Sequence, residues 1–448
     1  MTRLPIRLAE AQAPRYTSYP TAPHFGPAVD GAVYRDWLAA LPAETPLSLY
    51  LHVPFCHQLC WYCGCHTAVA NGYQRIAAYV ALLRREIGLL GEALGEGRPV
   101  SGLHWGGGTP SILSGEDFTA VMGQLRAAFA FQPDAELAIE IDPRHLTPAK
   151  AAALAAAGIN RASLGVQDVN AQVQEAINRV QPFEQTAAAA EGLRAAGVAA
   201  LNFDLMYGLP QQSLADVERT AALAAGLQPA RISVFGYAHV PWMKKHQQMI
   251  DVGDLPGAEA RLAQAAAAER VLLQRGYRAV GMDHFALPGD PLFRRAAEGT
   301  LRRNFQGYTT DQAGTLLGLG ASAIGTLPQG YAQNDKDLPG YARALREGRL
   351  PVARGIALSA EDRLRRDIIQ AVMCDFAVDL SAQAVAHGRP GFDFSDEIAR
   401  LGALAAEGLV AVDGSRVRVT AAGRRAVRLI ASCFDAYLGS AGRYSQAV

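Results

Sequence analysis

Short β-rich runs alternate with alanine-rich helical stretches along most of the chain from Leu47 onward. The runs share branched and aromatic residues and lie near 47–53, 101–104, 136–142, 161–167, 200–206, 231–238 and 278–284. Strands that alternate with helices in this way are typical of βα units built around a parallel sheet. Apolar residues also recur at helical spacing from Ile76 to Leu94, which predicts a helix with one face on that sheet.

Polar residues recur on one face of three of these predicted strands. The polar pairs are Glu140 and Asp142, Ser163 and Gln167, and Asn202 and Asp204. Parallel strands buried on both faces normally form continuous apolar runs, so a repeated polar face indicates a lumen that holds a ligand. These residues lie toward the C-terminal ends of their strands, where parallel α/β folds place active sites. We therefore expect an α/β fold with an incomplete, TIM-type parallel β/α barrel, not a closed barrel filled with side chains.

The two ends of the chain depart from this pattern. Prolines recur in the first 45 residues, which predicts an irregular arm with one short helix near Tyr34–Leu41. From about Pro351 the pattern is mostly helical. The elements predicted there are helices at 359–375 and 394–407, a hairpin through the turn Asp413-Gly414-Ser415, and a last helix through Arg424–Tyr437. The expected units are an arm (1–45), a partial barrel (46–350) and a smaller, winged-helix-like C-terminal domain (351–448).

Charge and composition exclude several classes of protein. The 448 residues contain 42 Lys and Arg and 42 Asp and Glu, so the formal net charge is zero. No global field attracts nucleic acid or an acidic membrane, and an anionic partner must meet a local basic site. The winged-helix-like region is not markedly basic, which favours packing over DNA binding. The absence of a long apolar run and of a signal-peptide pattern predicts a cytoplasmic protein without a membrane span.

Four of the six cysteines lie within ten residues, directly after the first predicted strand. Cys56, Cys60 and Cys63 have CxxxCxxC spacing, and Cys65 follows. Three thiolates at this spacing can hold three irons of a 4Fe-4S cluster and leave the fourth iron open to another ligand. The alternative is a structural zinc site with Cys65 or a nearby histidine as the fourth ligand, although zinc sites more often pair two separated CxxC knuckles. The tight triplet favours the iron-sulfur cluster.

With this loop the chain resembles the radical S-adenosylmethionine (SAM) enzymes, in which a CxxxCxxC loop chelates the cluster and the open iron binds SAM. The glycine-rich turn His104-Trp105-Gly106-Gly107-Gly108-Thr109-Pro110 also resembles that superfamily, which uses such glycines to bring backbone close to the methionyl part of SAM. Without the resemblance, a glycine-rich βα turn is only moderately specific. It is neither a GxGxxG nor a P-loop motif.

Within the superfamily, the chain resembles the oxygen-independent coproporphyrinogen III oxidases nearly from end to end. The matching segments begin at Pro14, Cys63, Ile139, Gly165, Asp204, Tyr237, Gly281 and Arg303. The resemblance implies two bound SAM molecules. The first is expected near Tyr50, Gly107, Glu140 and Ile324, and the second near Tyr62, Gly108, Thr109, Gln167, Arg179, Asp204 and Ala238. Phenylalanine is common in the family at the position of Tyr62.

Some of these residues also have plain structural explanations. Glu140, Gln167 and Asp204 would suit a polar network inside a barrel, and Arg179 would suit a solvated helix surface. Chemistry supports the ligand roles as well, because a carboxylate accepts hydrogen bonds from an ammonium or from ribose hydroxyls and an arginine pairs with a carboxylate.

The resemblance further implies the reaction. A 5′-deoxyadenosyl radical from SAM would start the oxidative decarboxylation of two propionates of coproporphyrinogen III to vinyl groups, giving protoporphyrinogen IX in haem biosynthesis. A substrate with four carboxylates requires local cations in a neutral protein, and the candidates are Arg15, His284, Arg302 and Arg303, with Gln306 beside them. Each of these charged groups would equally suit a surface ion pair.

An electron donor such as flavodoxin or ferredoxin is implied as a partner, and a monomer is expected. Two alternative functions use the same cysteine loop: a haem-binding or haem-trafficking relative, and a haem-degrading radical methyltransferase. The haem-trafficking relatives lack a counterpart of Cys65 and the arm around Arg15, and both features are present in this chain.

Overall fold

A computed structural model describes residues 4–95, 97–439 and 444–446. Within these ranges the strands are β1 (Leu47–Val53), β2 (Phe55–Cys56), β3 (Ala68–Val69), β4 (Arg98–Gly107), β5 (Phe129–Ile141), β6 (Arg161–Gln167), β7 (Ala200–Tyr207), β8 (Arg231–Gly236), β9 (Arg278–Val280), β10 (His284–Ala286), β11 (Arg302–Asn304), β12 (Gly307–Thr309), β13 (Thr315–Leu319), β14 (Ile324–Leu327), β15 (Gly330–Asn334), β16 (Val352–Ala357), β17 (Ala377–Asp379), β18 (Val410–Asp413) and β19 (Arg416–Val419).

The α-helices of the same ranges surround these strands. They are α1 (Ile6–Ala9), α2 (Gly31–Ala39), α3 (Tyr73–Leu94), α4 (Gly115–Ala128), α5 (Pro148–Ala156), α6 (Ala171–Ala176), α7 (Phe183–Ala195), α8 (Leu214–Gly226), α9 (Ala258–Gln274), α10 (Pro291–Ala297), α11 (Leu338–Arg346), α12 (Ala360–Asp375), α13 (Leu380–Ala386), α14 (Ser395–Ala406) and α15 (Val427–Ser432). No helix among the described residues combines the length and the apolar character needed to cross a membrane.

One twelve-stranded sheet organises the fold, in the order β16-β15-β14-β13-β1-β4-β5-β6-β7-β8-β10-β9. The strands from β13 to β8 in this order are parallel, and antiparallel strands extend the sheet at both ends. The two outermost strands, β16 and β9, do not pair with each other in the described ranges. The incomplete β/α barrel expected from the sequence is therefore confirmed. The main apolar core lies between this sheet and its helices, with Trp105, Phe203 and Leu49 fully buried.

The C-terminal region has a three-stranded sheet of its own, in the order β17-β19-β18. Its apolar core includes residues of the N-terminal arm, among them Tyr16 and Tyr19. The Tyr16 hydroxyl donates a hydrogen bond of 2.9 Å to Asp435. Arg428 donates hydrogen bonds to the carbonyls of Pro14 (3.0 Å) and Gln446 (2.9 Å), and so it joins the arm to the last described segment. The arm is thus packed against the far end of the chain.

Several predicted boundaries shift in the structure. The helix expected at 34–41 is α2, which begins at Gly31 because the Asp30 side chain accepts hydrogen bonds from the backbone N–H groups of Ala32 and Val33. The last helix, expected to continue to Tyr437, ends at Ser432. The division of the chain at 45/46 and 350/351 stays a prediction, and β16, just after the second boundary, pairs with β15 in the barrel sheet.

The run 278–284, expected to be one strand, forms the two short antiparallel strands β9 and β10. Gly281 lies in the turn between them with a φ of +60°, and a Cβ there would lie 2.1 Å from the Tyr308 ring. A tyrosine from a distant part of the chain therefore fills the space that a side chain at 281 would need, and only glycine adopts this backbone without strain. Because the turn reverses the chain, β10 pairs with β8 in the antiparallel direction.

A buried carboxyl group ties α3 to the strands beside β1. Glu86 accepts hydrogen bonds from the Gly320 N–H (2.7 Å), the Asn334 amide (2.6 Å) and the Tyr341 hydroxyl (2.6 Å). Burial raises the pKa of Glu86 to about 7, although these three hydrogen bonds act in the opposite direction.

Glu86 predicts a pH-dependent contribution to stability. Its folded-state pKa exceeds the ordinary value of 4.5, so the unfolded chain releases the proton first as the pH rises. The contribution is complete below about pH 4.5 and is lost as the pH approaches 7. In Glu86→Gln this titration is absent. The unfolding free energy of the variant minus that of wild type should therefore rise by on the order of 2 kcal/mol between pH 5 and pH 7. Urea unfolding at the two pH values measures this difference. Parallel pH profiles would contradict the prediction.

Candidate functional site

The cysteine loop begins where β1 ends, at the C-terminal edge of the parallel strands. The short strands β2 and β3 pair and close the loop at its base, with Phe55 opposite Ala68. Cys60 is buried, Cys56 and Cys63 are half-buried, and Cys65 is exposed. The loop therefore presents its three spaced thiols at the edge where parallel α/β folds bind their ligands.

Each of these thiols is held among hydrogen-bond donors. The Cys56 sulfur lies 3.1 Å from the Thr67 hydroxyl and 3.6 Å from the Thr109 hydroxyl. The Cys60 sulfur lies 3.5 Å from Arg179 Nη1 and 3.9 Å from Arg144 Nη2. The Cys65 N–H lies 3.4 Å from the Cys63 sulfur. Donors and positive charges around sulfur stabilise the thiolate form, which is the form that binds iron.

The chemistry of these donors fits an iron-sulfur cluster. Among the described residues, no three His, Cys, Asp or Glu side chains converge on a position for a single metal ion. The fit rests instead on the three thiols of one loop and on the arginine and hydroxyl groups that surround them. These groups would offset the negative charge of a thiolate-bound cluster.

Two arginines and one carboxylate form a network behind Cys60. Asp142 accepts hydrogen bonds from Arg144 (2.7 Å) and from Arg179 (3.5 Å). Burial alone would raise the pKa of Asp142, but the two guanidinium groups outweigh burial and lower it to about 2. Arg179 also donates to the Gly165 carbonyl at 2.9 Å, so it is held inside the protein and is not a solvated helix charge.

The three glycines of the turn after β4 make room for the protein's own atoms. A Cβ at Gly106 would lie 2.9 Å from the Glu140 carboxylate, and one at Gly107 would lie 2.8 Å from the His52 ring. A Cβ at Gly108 would lie 2.5 Å from the Phe55 carbonyl oxygen and 2.6 Å from the Thr67 hydroxyl. The glycines therefore allow the cysteine loop to lie directly on this turn, and a close approach of SAM to Gly107 and Gly108 stays a prediction.

One side of the lumen is formed by β1, β4 and β5. Glu140 accepts a hydrogen bond from the Gly107 N–H at 3.2 Å and lies 3.2 Å from His104 Nε2. The Tyr50 ring stacks on the His104 ring, with centroids 6.0 Å apart. Tyr50 pairs in register with Gly318, whose Cβ would meet the Ile324 backbone at 2.7 Å. The structure therefore brings Tyr50, Gly107 and Glu140 together, with Ile324 on the neighbouring strand pair.

A neutral histidine connects this side of the lumen to the cysteine loop. Burial lowers the pKa of His52 to about 4. Its Nε2 lies 2.9 Å from the His66 carbonyl oxygen, and its Nδ1 lies 2.9 Å from the Tyr50 hydroxyl. A neutral ring that donates from Nε2 accepts at Nδ1, so the Tyr50 hydroxyl donates to it. The His66 carbonyl, at the end of the cysteine loop, therefore orients Tyr50 through the His52 ring.

The other side of the lumen carries a second carboxylate. Asp204 accepts hydrogen bonds from Ser163 (2.8 Å) and Asn202 (3.1 Å), and burial raises its pKa. Gln167 ends β6 with a φ of +65°, and its amide would lie 2.9 Å from a Cβ at Gly165. Arg179 would meet the same Cβ at 3.1 Å. The structure thus brings Gln167 and Arg179 together at the end of β6, one strand from Asp204.

Tyr62 and Ala238 are joined through one buried amide. The Gln247 amide donates to the Tyr62 carbonyl at 3.0 Å and to the Ala238 carbonyl at 3.2 Å. His246 lies 2.7 Å from the Cys63 carbonyl oxygen, and Lys244 donates to the Cys65 carbonyl at 2.8 Å. The segment after β8 therefore holds the backbone of the cysteine loop. Sequence reasoning missed this segment, since nothing in the local pattern around Gln247 shows which carbonyls it meets.

A cavity of about 1260 Å³ lies between the end of β8, α9, the arm and the C-terminal region. Its wall includes the arginines Arg15, Arg261, Arg424, Arg425 and Arg428 and the histidines His239 and His284. Ala238 also lines it, whereas among the described residues neither the three spaced cysteines nor Glu140 and Asp204 do. The cavity therefore adjoins the lumen through the end of β8. The arginines of α9 and of the C-terminal region were missed, because the sequence pattern does not indicate which helical arginines meet.

The structure places Arg15, His284 and Arg303 around one carboxylate. His284 Nδ1 lies 2.6 Å from Asp283, and Arg303 donates to the Arg15 carbonyl at 3.4 Å. Burial would raise the pKa of Asp283, but the charges of His284, Arg303 and Arg15 hold it below its ordinary value. Asp283, Arg15 and His284 line the cavity, so this carboxylate and two of its neighbours are part of the cavity wall.

The remaining two substrate candidates lie on the neighbouring hairpin. Arg302 is exposed, and the charged group it faces is Asp375. Gln306 accepts a hydrogen bond from Asn304 at 3.2 Å, while its own Nε2 is buried without a hydrogen-bond partner among the described residues. Nε and Nη1 of Arg303 are likewise buried without a hydrogen-bond partner among the described residues. Buried donors without partners are costly, and a ligand carboxylate would satisfy them.

Comparisons with known proteins agree with this site. The profile of the Radical SAM superfamily matches residues 50–224, and that of the HemN C-terminal domain matches residues 358–425. The oxygen-independent coproporphyrinogen III oxidase of Bradyrhizobium diazoefficiens is 50% identical over 435 residues, which cover 97% of each chain. The enzyme of the same name from Paracoccus denitrificans is 45% identical over 99% of this chain and 98% of its own.

Among solved structures, the Escherichia coli coproporphyrinogen III oxidase HemN, described as a radical SAM enzyme, is similar with a TM-score of 0.90. Its sequence is 41% identical, and the match covers 96% of this chain and 100% of that one. A relative this similar over nearly the full length of both proteins shows the family. The chain therefore belongs to the oxygen-independent coproporphyrinogen III oxidases, within the radical SAM superfamily.

Proposed function

We propose that this chain converts two propionate side chains of coproporphyrinogen III to vinyl groups by anaerobic oxidative decarboxylation, giving protoporphyrinogen IX. The observation that carries the proposal is the cationic cavity beside a polar lumen and a three-thiol loop. A tetracarboxylate substrate needs positive groups, and this neutral chain gathers Arg15, Arg261 and Arg428 at one wall. The cavity volume is ample for one porphyrinogen beside the lumen.

Family membership implies a 4Fe-4S cluster and SAM, and Cys56, Cys60 and Cys63 are the residues that would hold the cluster. The chemistry supplied by these groups when bound is a 5′-deoxyadenosyl radical that removes a hydrogen atom from a propionate side chain. The protein must position SAM and the substrate and exclude water and oxygen.

Two SAM molecules are part of the proposal. Two separate sets of polar groups support it, one around Glu140 and Tyr50 and one around Asp204, Gln167 and Arg179. Each set has a carboxylate that accepts hydrogen bonds from ribose hydroxyls or an ammonium group. The second set also has a buried arginine for the carboxylate of SAM.

An anaerobic turnover assay tests the function. Reconstituted protein with coproporphyrinogen III, SAM, reduced flavodoxin and a one-electron acceptor should yield protoporphyrinogen IX and carbon dioxide, with about one methionine formed per vinyl group. The acceptor takes the electron that each substrate radical releases as it loses carbon dioxide. The haem-trafficking alternative predicts tight haem binding without vinyl formation, and a haem titration beside the turnover assay separates the two. The names of the relatives do not favour that alternative. Flavodoxin or ferredoxin as the donor, the monomeric state and the cytoplasmic location are further predictions.

Arg15 provides a test of the substrate site. In Arg15→Ala we expect the KM for coproporphyrinogen III to rise about tenfold or more with a smaller change in kcat, because a charge-assisted hydrogen bond to a carboxylate is lost. Arg416→Ala is the matched control, since the Arg416 side chain is 80% exposed on the C-terminal hairpin and lies outside the cavity. Equal KM values for the two variants would remove Arg15 from the substrate site.

A further inference from the structure

We propose that the surface over Cys60, formed by His57, Arg144, His145 and Lys150, is the docking site of a small acidic protein that donates single electrons. The proposal rests on the proposed function, because a cluster that is activated by reduction needs such a donor. The four residues are referred to below as the Cys60 surface.

The few lysines of the chain lie on two sides of the cysteine loop. The chain has four lysines, Lys150, Lys244, Lys245 and Lys336. Lys244 donates to the Cys65 carbonyl, and the Lys336 carbonyl accepts from His66, so one group lies at the Cys65 end of the loop. Lys150 faces His57 and His145 at the other end. The lysines of a neutral chain thus flank the loop on two sides.

The Cys60 surface is the more suitable of the two for a partner. The His57 and His145 rings are exposed and lie 4.0 Å apart. Lys150 is half-buried and makes no ion pair among the described residues. The acidic group nearby is Asp142, which is already held by Arg144 and Arg179. Arg144 and Arg179 together carry one positive charge more than Asp142, and Lys150 adds a second, so this region has a positive excess that attracts an acidic partner. Burial lowers the pKa of His57 and His145, so the two rings add no fixed charge.

The group of lysines near Cys65 is less free to receive a partner. Lys244 is bound to the loop, and Asp335 and Asp337 flank Lys336 in the sequence. Trp242 of the same segment lines the cavity that we assign to the substrate. None of the residues of the Cys60 surface lines that cavity. A donor on the Cys60 surface therefore leaves the way to the substrate open.

The Cys60 surface also offers a short route to the cluster ligands. Arg144 Nη2 lies 3.9 Å from the Cys60 sulfur, and the next residue in the chain is the exposed His145. The Asn178 amide donates to the Leu59 carbonyl at 2.9 Å, so the backbone before Cys60 is fixed beneath the surface. In the proposed step one electron leaves a flavodoxin hydroquinone, which becomes the semiquinone, and the oxidised cluster gains that electron.

Charge reversal at Lys150 tests the docking site. Reconstituted protein is mixed anaerobically with flavodoxin hydroquinone, and bleaching of the cluster absorbance is followed at low and high salt. For Lys150→Glu we expect the second-order rate constant at low salt to fall about tenfold and its salt dependence to weaken. Reduction by dithionite, which needs no docking surface, should be unchanged. Lys245→Glu carries the same charge change at an exposed lysine on the other side of the loop and should change the flavodoxin rate less than about twofold.

The possible outcomes separate the proposal from its alternatives. A flavodoxin rate in Lys150→Glu equal to wild type, or a larger loss in Lys245→Glu, overturns the docking site. If Lys150→Glu loses iron, Lys150→Gln is used, since it removes the positive charge without adding a negative one. It should still slow the flavodoxin reaction about threefold. An unaltered rate in Lys150→Gln with full iron content then overturns it. The measurement uses no coproporphyrinogen, so it is independent of whether the proposed reaction is correct.

Discussion

Replacing Cys60 with alanine should abolish the brown absorbance of anaerobically reconstituted protein and all formation of methionine from SAM. Cys60 is the most buried of the three spaced cysteines, and two arginines lie beside its sulfur. With two thiolates left, the loop cannot hold three irons. Iron and sulfide analysis with a methionine assay measures the effect. Retained SAM cleavage in Cys60→Ala would contradict the assignment of the cluster ligands.

Cys65→Ser is the matched control for this experiment. Cys65 is exposed at the end of the same loop, and a fourth thiolate ligand would leave no open iron for SAM. We therefore expect Cys65→Ser to keep its cluster. A fall of the metal content to that of a single ion in this variant would favour the four-thiolate zinc site instead.

Gly108→Ala should prevent normal loading of the cluster, although it changes no cysteine. The added Cβ would lie 2.5 Å from the Phe55 carbonyl oxygen and 2.6 Å from the Thr67 hydroxyl, and backbone cannot give way as a flexible side chain can. The clash would displace the first cysteine, which follows Phe55 directly. We expect lower iron content, proportionally less methionine, and a loss of about 1–3 kcal/mol in stability.

Gly123→Ala is the control for this substitution. Gly123 is exposed in the middle of α4, and a Cβ there meets nothing within 4 Å. Alanine should stabilise that helix by up to about 1 kcal/mol and leave iron loading intact. Normal iron content in Gly108→Ala would show that the loop does not need contact with this turn.

The alternation of polar and apolar residues was sufficient to predict the barrel and its lumen. Side chains of a strand alternate between two faces, so Glu140, Asn202 and Asp204 could be assigned to one face before any contact was known. The cysteine spacing likewise predicts which thiols hold the cluster, and that assignment stays a prediction. These features depend on residues close together in the chain, where local pattern is informative.

The rest of the site depends on contacts between distant parts of the chain. Arg144 lies 84 residues from Cys60, and Arg428 lies 414 residues from the Pro14 carbonyl that it binds. The turn at Gly281 could not be predicted because the residue that makes glycine necessary, Tyr308, lies on another hairpin. No periodicity relates such pairs, so only the folded structure shows them.

The packing of the arm against the C-terminal region has a consequence for the order in which the protein is made. The cysteine loop and the strand before it leave the ribosome early, whereas the cavity wall needs Arg428, which is synthesised among the last residues. Folding during synthesis proceeds from the N-terminal side. The contacts that hold the cysteine loop reach Gln247 and Lys336, so the place for the cluster is complete only after these residues are made, but still before Arg428. A ribosome stalled between Lys336 and Arg428 would carry the place for the cluster without the complete porphyrinogen cavity.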